Sequence, residues 1–235
     1  MAAEVKIRVN CETTAAKSAD ATKSGNLTSR GKLTRTMSAT SSDKYPVRTR
    51  FGSSELKEGY SGYSFDGTSG LTLSSSYTKP ASTTGGFIIF FSQCINYSDK
   101  TILSGGTGGG SLKFVESNTL QYVAGGGKGA TTIIDLDNTT GSTTSYTYGT
   151  TDVEALIWTV DTSNTVQIWN INGDRIFNGI VAGAYGGTLV HLDILHNGSF
   201  AGPALKLLEY IVYEDHEITQ AEATNLAAIA TGYKD

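Results

Sequence analysis

Glu214-Asp215-His216-Glu217 is the densest run of acid–base side chains in this sequence. Paired carboxylates can hydrolyse glycosides, one as the acid and the other as nucleophile or base, when they stand about 5 to 9 Å apart. A single strand supplies such a pair most directly through an E-x-D-x-x-E spacing on one face, and no stretch here has it. The cluster falls instead between a strand-like run and a helix start, where negative charge complements the helix N-terminus. It reads as solvated charge, and no catalysis is expected.

His191 and Asp193 stand two apart on a strand-like run and so share a face. They amount to half a metal site without a third ligand at a useful spacing, which favours a structural histidine. Asp135, Asp137 and Asn138 offer hard oxygen atoms beside a loop, the donor set that calcium takes. No other cofactor is suggested. The glycine runs at 105–110 (GGTGGG) and 125–129 (GGGKG) invite a phosphate-binding reading. Strand follows the first run rather than a helix, so the helix N-terminus that a P-loop needs is missing. Tyr146, Tyr148 and Tyr185 lie in or near loops, where rings can stack on the apolar faces of sugars.

The elements that must position these groups are strands. Residues 153–160 (VEALIWTV) are apolar on both faces apart from Glu154 and Thr159, as in a strand covered on both sides. Asp161-Thr162-Ser163-Asn164 is turn chemistry. Residues 165–171 then alternate, with Val166 and Ile168 on one face and Gln167, Trp169 and Ile171 on the other. Asn172-Gly173 predicts a two-residue turn with positive φ, and 174–177 return as a third strand of an antiparallel meander. Elsewhere 87–91 (FIIFF) predict a central buried strand, and 112–115, 120–123, 131–136, 188–195 and 205–213 predict others. Thr219 and Glu222 form a T-x-x-E capping box ahead of a helix over 223–230, with Gly232 placed to end it.

IWTVD followed by TVQIWNING and RIFNG resembles the central hairpins of the concanavalin A-like, laminin-G-like jelly-roll family. YSFDG at 63–67, the apolar run at 86–92, TILS at 101–104 and LLEYIVYEDHEITQAE at 207–222 resemble its other segments, in the same order. The resemblance covers roughly residues 60–235. It implies an all-β antiparallel jelly-roll sandwich with one short C-terminal helix. It also implies that glucanase activity and bound calcium are worth testing, since some members have them.

Composition splits the chain. Residues 1–57 carry a net charge of +6 and residues 58–235 one of −10, within a total of −4. The first part, beyond an alternating EVKIRVN at its start, is Ala, Ser, Thr and Lys with few large apolar residues, too few to bury a core of its own. The expected organisation is an extended N-terminal arm at 1–57 and a sandwich domain at 58–235. The arm would add Val5, Ile7 and Val9 as a strand to a partner's sheet edge. Lys17, Lys23, Arg30, Arg35 and Arg48 would meet acidic partner groups. Its basic residues are dispersed and no aromatic precedes Tyr45, which disfavours nucleic acid. The start does not read as a signal peptide, no run approaches a membrane span, and Cys11 and Cys94 fit no metal or redox spacing.

The function expected from these features is structural and non-enzymatic. A lone domain of this family with a polar arm resembles bacteriophage virion components, such as capsid decoration proteins or head and tail fibres. Its partners would be other virion chains, copies of itself among them, and its location the virion. The alternative is a lectin-like module that binds a cell-surface glycan.

Overall fold

The computed structural model describes residues 4–10, 26–28, 32, 36–38, 47–50, 61–66, 71–73, 82–95, 100–104, 110–116, 118–124, 131–136, 146–148, 153–184, 193–194 and 204–231. In chain order the strands are β1 (Glu4–Asn10), β2 (Asn26–Thr28), β3 (Thr36–Ser38), β4 (Val47–Arg50), β5 (Ser61–Asp66), β6 (Leu71–Leu73), β7 (Gly85–Ile95) and β8 (Lys100–Ser104). There follow β9 (Ser111–Glu116), β10 (Thr119–Val123), β11 (Thr131–Asp135), β12 (Val153–Val160), β13 (Thr165–Trp169), β14 (Arg175–Ile180), β15 (Asp193–Ile194) and β16 (Ala204–Glu214). Helix α1 (Gln220–Thr231) comes last.

The strands form two antiparallel sheets of eight. The first runs β14-β13-β12-β7-β16-β5-β4, with β1 also on β16; the second runs β11-β10-β9-β8-β15-β6-β3-β2. Strand β16 is long enough that β5 pairs with its first half and β1 with its second, along the same edge. Between the sheets lies one core, in which Trp158 stacks on Phe87 at 5.7 Å and meets Tyr122 at 5.9 Å. A second apolar layer on the outer face of the first sheet holds Ile88, Phe90, Val153, Ala155, Ile157, Trp169, Ile171 and Tyr213 with Ile218 and Ala223 of the helix segment. The β-sandwich, with one short helix among the described residues, is therefore as the sequence predicts, and the double-faced burial of β7 and β12 follows from their continuous apolar runs.

The meander closes through two loops of one design. Asp161 and Asn170 each begin a loop in which the first residue's amide bonds the fifth residue's carbonyl, at 3.0 and 2.9 Å. In each, the first side-chain oxygen accepts the amides of the third and fifth residues: Ser163 and Thr165 at 2.7 and 2.8 Å, Asn172 and Asp174 both at 2.9 Å. The fourth residue is left-handed, Asn164 at φ 66° and Gly173 at φ 78°. The turn predicted as two residues at Asn172-Gly173 is thus a three-residue loop with a bulge. Asn170 binds the amides itself and draws Ile171 into the loop, while the positive φ at Gly173 is as expected.

The strand expected at Glu4–Asn10 is present, but the sheet edge it joins belongs to its own chain. Glu4 registers with Glu214 and Asn10 with Glu209. β4, which carries Arg48, likewise pairs with β5. β16 supplies unpaired main chain beyond the end of β5, and β1 fills it, so the edge this segment joins is supplied by its own chain. Lys17, Lys23, Arg30 and Arg35 lie outside the described residues.

Two outcomes are expected. A Cβ on Gly173 would sit 2.8 Å from Thr224 Cα. With the strain of positive φ added, Gly173→Val is expected to cost more than about 1 kcal/mol, read as a fall in Tm. An unchanged Tm would remove this loop from the stability argument. Deleting residues 1–10 is expected to lower Tm as well, because it strips the second half of β16 of its neighbour; equal melting of the two chains would show that β1 contributes nothing.

Candidate functional site

The acidic cluster is built into the joint between β16 and α1. Glu214 closes the strand and is buried, whereas Asp215 and Glu217 are exposed, so the expectation of solvated charge holds for the latter two and not for Glu214. The difference is one of register: Glu214 continues the alternation of Tyr210 and Val212, which points into the sandwich. Asp215 adopts φ 57° and turns the chain, after which the His216 amide bonds Thr84 carbonyl at 3.3 Å. His216 Nε2 lies 2.7 Å from Glu222 Oε1. Glu217 accepts a bond from Gln167 on β13. His216 and Glu217 are thus tied into bonds that dock the helix, an arrangement that secures a joint.

The capping box forms as the sequence predicts. Glu222 accepts Thr219's amide at 2.9 Å and its hydroxyl at 2.8 Å, and Glu222's own amide bonds Thr219 Oγ1 at 3.3 Å. Thr219's amide is the main cause holding the Glu222 carboxyl below the usual carboxylate range, with His216 helping. Gln220 donates to the Gly173 carbonyl and so fastens the first helical turn to the hairpin loop.

The tyrosines separate in burial. Tyr148 lies in the core, against Phe114 at 5.3 Å and Phe91 at 5.6 Å, and presents no ring to a sugar. Tyr146 is half-buried, edge-on to Tyr148 at 5.2 Å, and its hydroxyl donates to the buried Glu154 carboxylate. Tyr185, Asp137, Asn138 and His191 lie outside the described residues. Asp135 is exposed at the end of β11. Among the described residues, no group of three or more His, Cys, Asp or Glu is placed to hold a metal.

The two sheets differ on their outer faces. The first is sealed by the helix layer; the second is open across β9, β10 and β11. Register sets Lys113, Gln121 and Ile133 in one row over these three strands, and Ser111, Val123 and Thr131 in the next. Exposure rises along the first row, from half-buried Lys113 and Gln121 to Ile133 at 55%. Hydrogen-bonding groups thus lie beside apolar surface on three paired strands. Of the outward residues on these strands only Asp135 stood out in the sequence; the signal for the others is the alternation in SLKFVE and TLQYV.

Taken together, the fold defines a two-layer antiparallel β-sandwich with a helix on one layer. Solved structures with this fold include domain 4 of AbnA, a GH43 extracellular arabinanase from Geobacillus stearothermophilus, in complex with arabinotriose. The likeness has a TM-score of 0.62 at 13% identity, and covers 97% of this chain and 100% of that one. The botulinum neurotoxin serotype G binding domain is similar at TM-score 0.62 and 12% identity, over 96% of this chain and 51% of that chain. A mutant Trypanosoma rangeli sialidase is similar at TM-score 0.55 and 8% identity, over 99% and 34%. This chain spans about half the length of the neurotoxin binding domain and a third of the sialidase. No protein-family model matches the chain, and no curated protein is detectably similar in sequence.

The cap yields a pH-dependent outcome. A carboxyl whose folded pKa is depressed contributes stability in full above its unfolded value and loses it as pH falls through the folded one. The Tm gap between the native chain and Glu222→Ala is therefore expected to be full above about pH 4.5 and to close as the pH falls further. A gap independent of pH would show that Glu222 acts by packing alone.

Proposed function

We propose that this protein is a non-catalytic carbohydrate-binding module that receives a glycan on the open face of its second sheet. The observation that carries the reading is the end-to-end likeness to an arabinanase domain in complex with arabinotriose, which that domain matches over its whole length. The face adds chemical support. Gln121 offers both donors and an acceptor, and Lys113 further donors, for sugar hydroxyls; Ile133 and Val123 offer apolar surface to the C–H side of a ring. The covered face of the first sheet offers neither. The binding of His216 and Glu217 into the helix joint supports the absence of catalysis.

The virion reading rested on the family resemblance and on a polar arm expected to seek a partner. β1 pairs with β16 of its own chain, so the segment Glu4–Asn10 gives no support for a partner chain. Glycan binding, first the alternative, becomes the better supported function.

The test is retention of immobilised glycans, arabinotriose among them, followed by calorimetry on whatever is bound. Gln121→Ala and Lys113→Ala are each expected to weaken binding by about tenfold, the loss of one good hydrogen bond, with Tm unchanged. Tyr146→Ala serves as the comparison. Loss through Tyr146 alone would move the site to the sandwich rim, and no retention of any glycan would end the proposal.

A further inference from the structure

On one side the first sheet ends in β4 and β1, and on the other in β14. At one end β4 reads VRTR, and charged residues on an edge strand discourage pairing with other chains. At the other end β14 reads RIFNGI and carries a single charge. That charge, Arg175, is turned onto the ring of Trp169, 5.6 Å from its centroid. Among the described residues β14 pairs only with β13. Its end is open, with Asn178 exposed and Ile180 at 75% exposure, the most exposed large apolar residue described.

The hydrogen-bond phase of this edge is fixed. Val181 amide bonds Asn164 carbonyl at 2.9 Å, which makes that pair a bonded one. Bonded and non-bonded pairs alternate along an antiparallel ladder. Gly179, opposite Val166, and Phe177, opposite Ile168, therefore turn their main-chain groups to β13. Those of Asn178 and Ile180 point away from the sheet.

We propose that β14 is a pairing edge for a second copy of this chain, the two β14 strands running antiparallel about a two-fold axis at Asn178 and continuing the first sheet across both molecules. A two-fold axis normal to a sheet places each residue opposite one of the same face, so the strand must meet itself centred on a residue and not between two. Centred on Phe177 or Gly179, inward-turned groups would oppose each other and no ladder would form. Centred on Asn178, its outward amide and carbonyl meet those of its own counterpart. Ile180 then lies at the seam over the other copy's strand, whose Ile176 keeps its side chain in the inter-sheet core on the opposite face. Arg175 is carried to the far end, so no like charges face each other across the seam. The edge is thus complementary to itself in main chain, and it brings no like charges together. This inference is independent of the glycan reading, which concerns the other sheet.

The test is sedimentation velocity of the full chain over a wide concentration range. The expected result is a reversible monomer–dimer equilibrium, with the Asn178 and Ile180 amides gaining hydrogen-exchange protection as concentration rises. Ile180→Lys places a charge on an exposed position, and Asn178→Pro removes an outward N–H that an edge strand can spare. Each is expected to raise the dimer dissociation constant by at least about tenfold while Tm stays near that of the native chain. A protein that is monomeric at every concentration, or a dimer that both substitutions leave intact, would overturn the proposal.

Discussion

The three central strands of the first sheet, β12, β7 and β16, are covered on both faces, and most of the structure follows from that constraint. Polar groups on such strands have no water to turn to, and each left unsatisfied costs about 1 to 3 kcal/mol. The protein meets this at Tyr213. Its hydroxyl lies against Thr159 Oγ1 and bonds the Trp158 carbonyl at 3.0 Å, joining β16 to β12 across β7. Burial raises the Tyr213 phenol well above its ordinary pKa, so it remains a donor. The bridge needs β7 to have no side chain at the crossing: a Cβ on Gly86 would lie 1.8 Å from the Trp158 carbonyl oxygen. The satisfaction is incomplete, since the Trp158 and Trp169 indole N–H groups and Ser92 Oγ are buried without hydrogen-bond partners among the described residues. At Trp158 the stacking on Phe87 and contact with Tyr122 offset part of that cost.

Sealing the outer face of that sheet is the task of α1, and it is positioned by loops rather than by its own pattern. Glycine at 173 lets Thr224 approach the hairpin loop, the Gln220 amide grips the Gly173 carbonyl, and Glu217 holds Gln167 on β13. Ile218 and Ala223 then enter the second apolar layer. The capping box sets where the helix begins, and the φ of Asp215 sets the direction from which the chain arrives. One residue, Gly173, thus serves both the bulge of the hairpin and the seat of the helix.

What could be read in the sequence was whatever depends on near neighbours. Continuous apolar runs point to β7 and β12, alternation to β1 and β13, and T-x-x-E to the helix start, since each is a property of a few adjacent residues. The three-residue loop was misread because Asn-Gly favours a tight turn on its own, whereas Asn170, two positions earlier, captures the amides first. The destination of β1 was not legible. An alternating EVKIRVN states that a strand wants an edge but not whose, and the vacant half of β16 exists only once β5 has ended. Tyr146 and Tyr148 look alike in sequence, yet one is half-buried at the rim and the other packs on Phe91 and Phe114. The row through Lys113, Gln121 and Ile133 depends on the register of three strands, which no local pattern records.

The two sheets therefore divide the surface between them. The first gives its outer face to α1, so what it still offers to another molecule is main chain at its edges, of which β14 carries the fewest charges. The second keeps an open face, and its end strand β11 finishes in a charged residue, Asp135, that an incoming strand would have to accommodate. Main-chain pairing is indifferent to chemistry beyond shape and suits another protein strand. A face of alternating polar and apolar side chains carries chemical information, and suits a small ligand with hydroxyls on one side and C–H groups on the other. The helix is what forces this division: without it both sheets would present faces, and the first would be too apolar to remain in water.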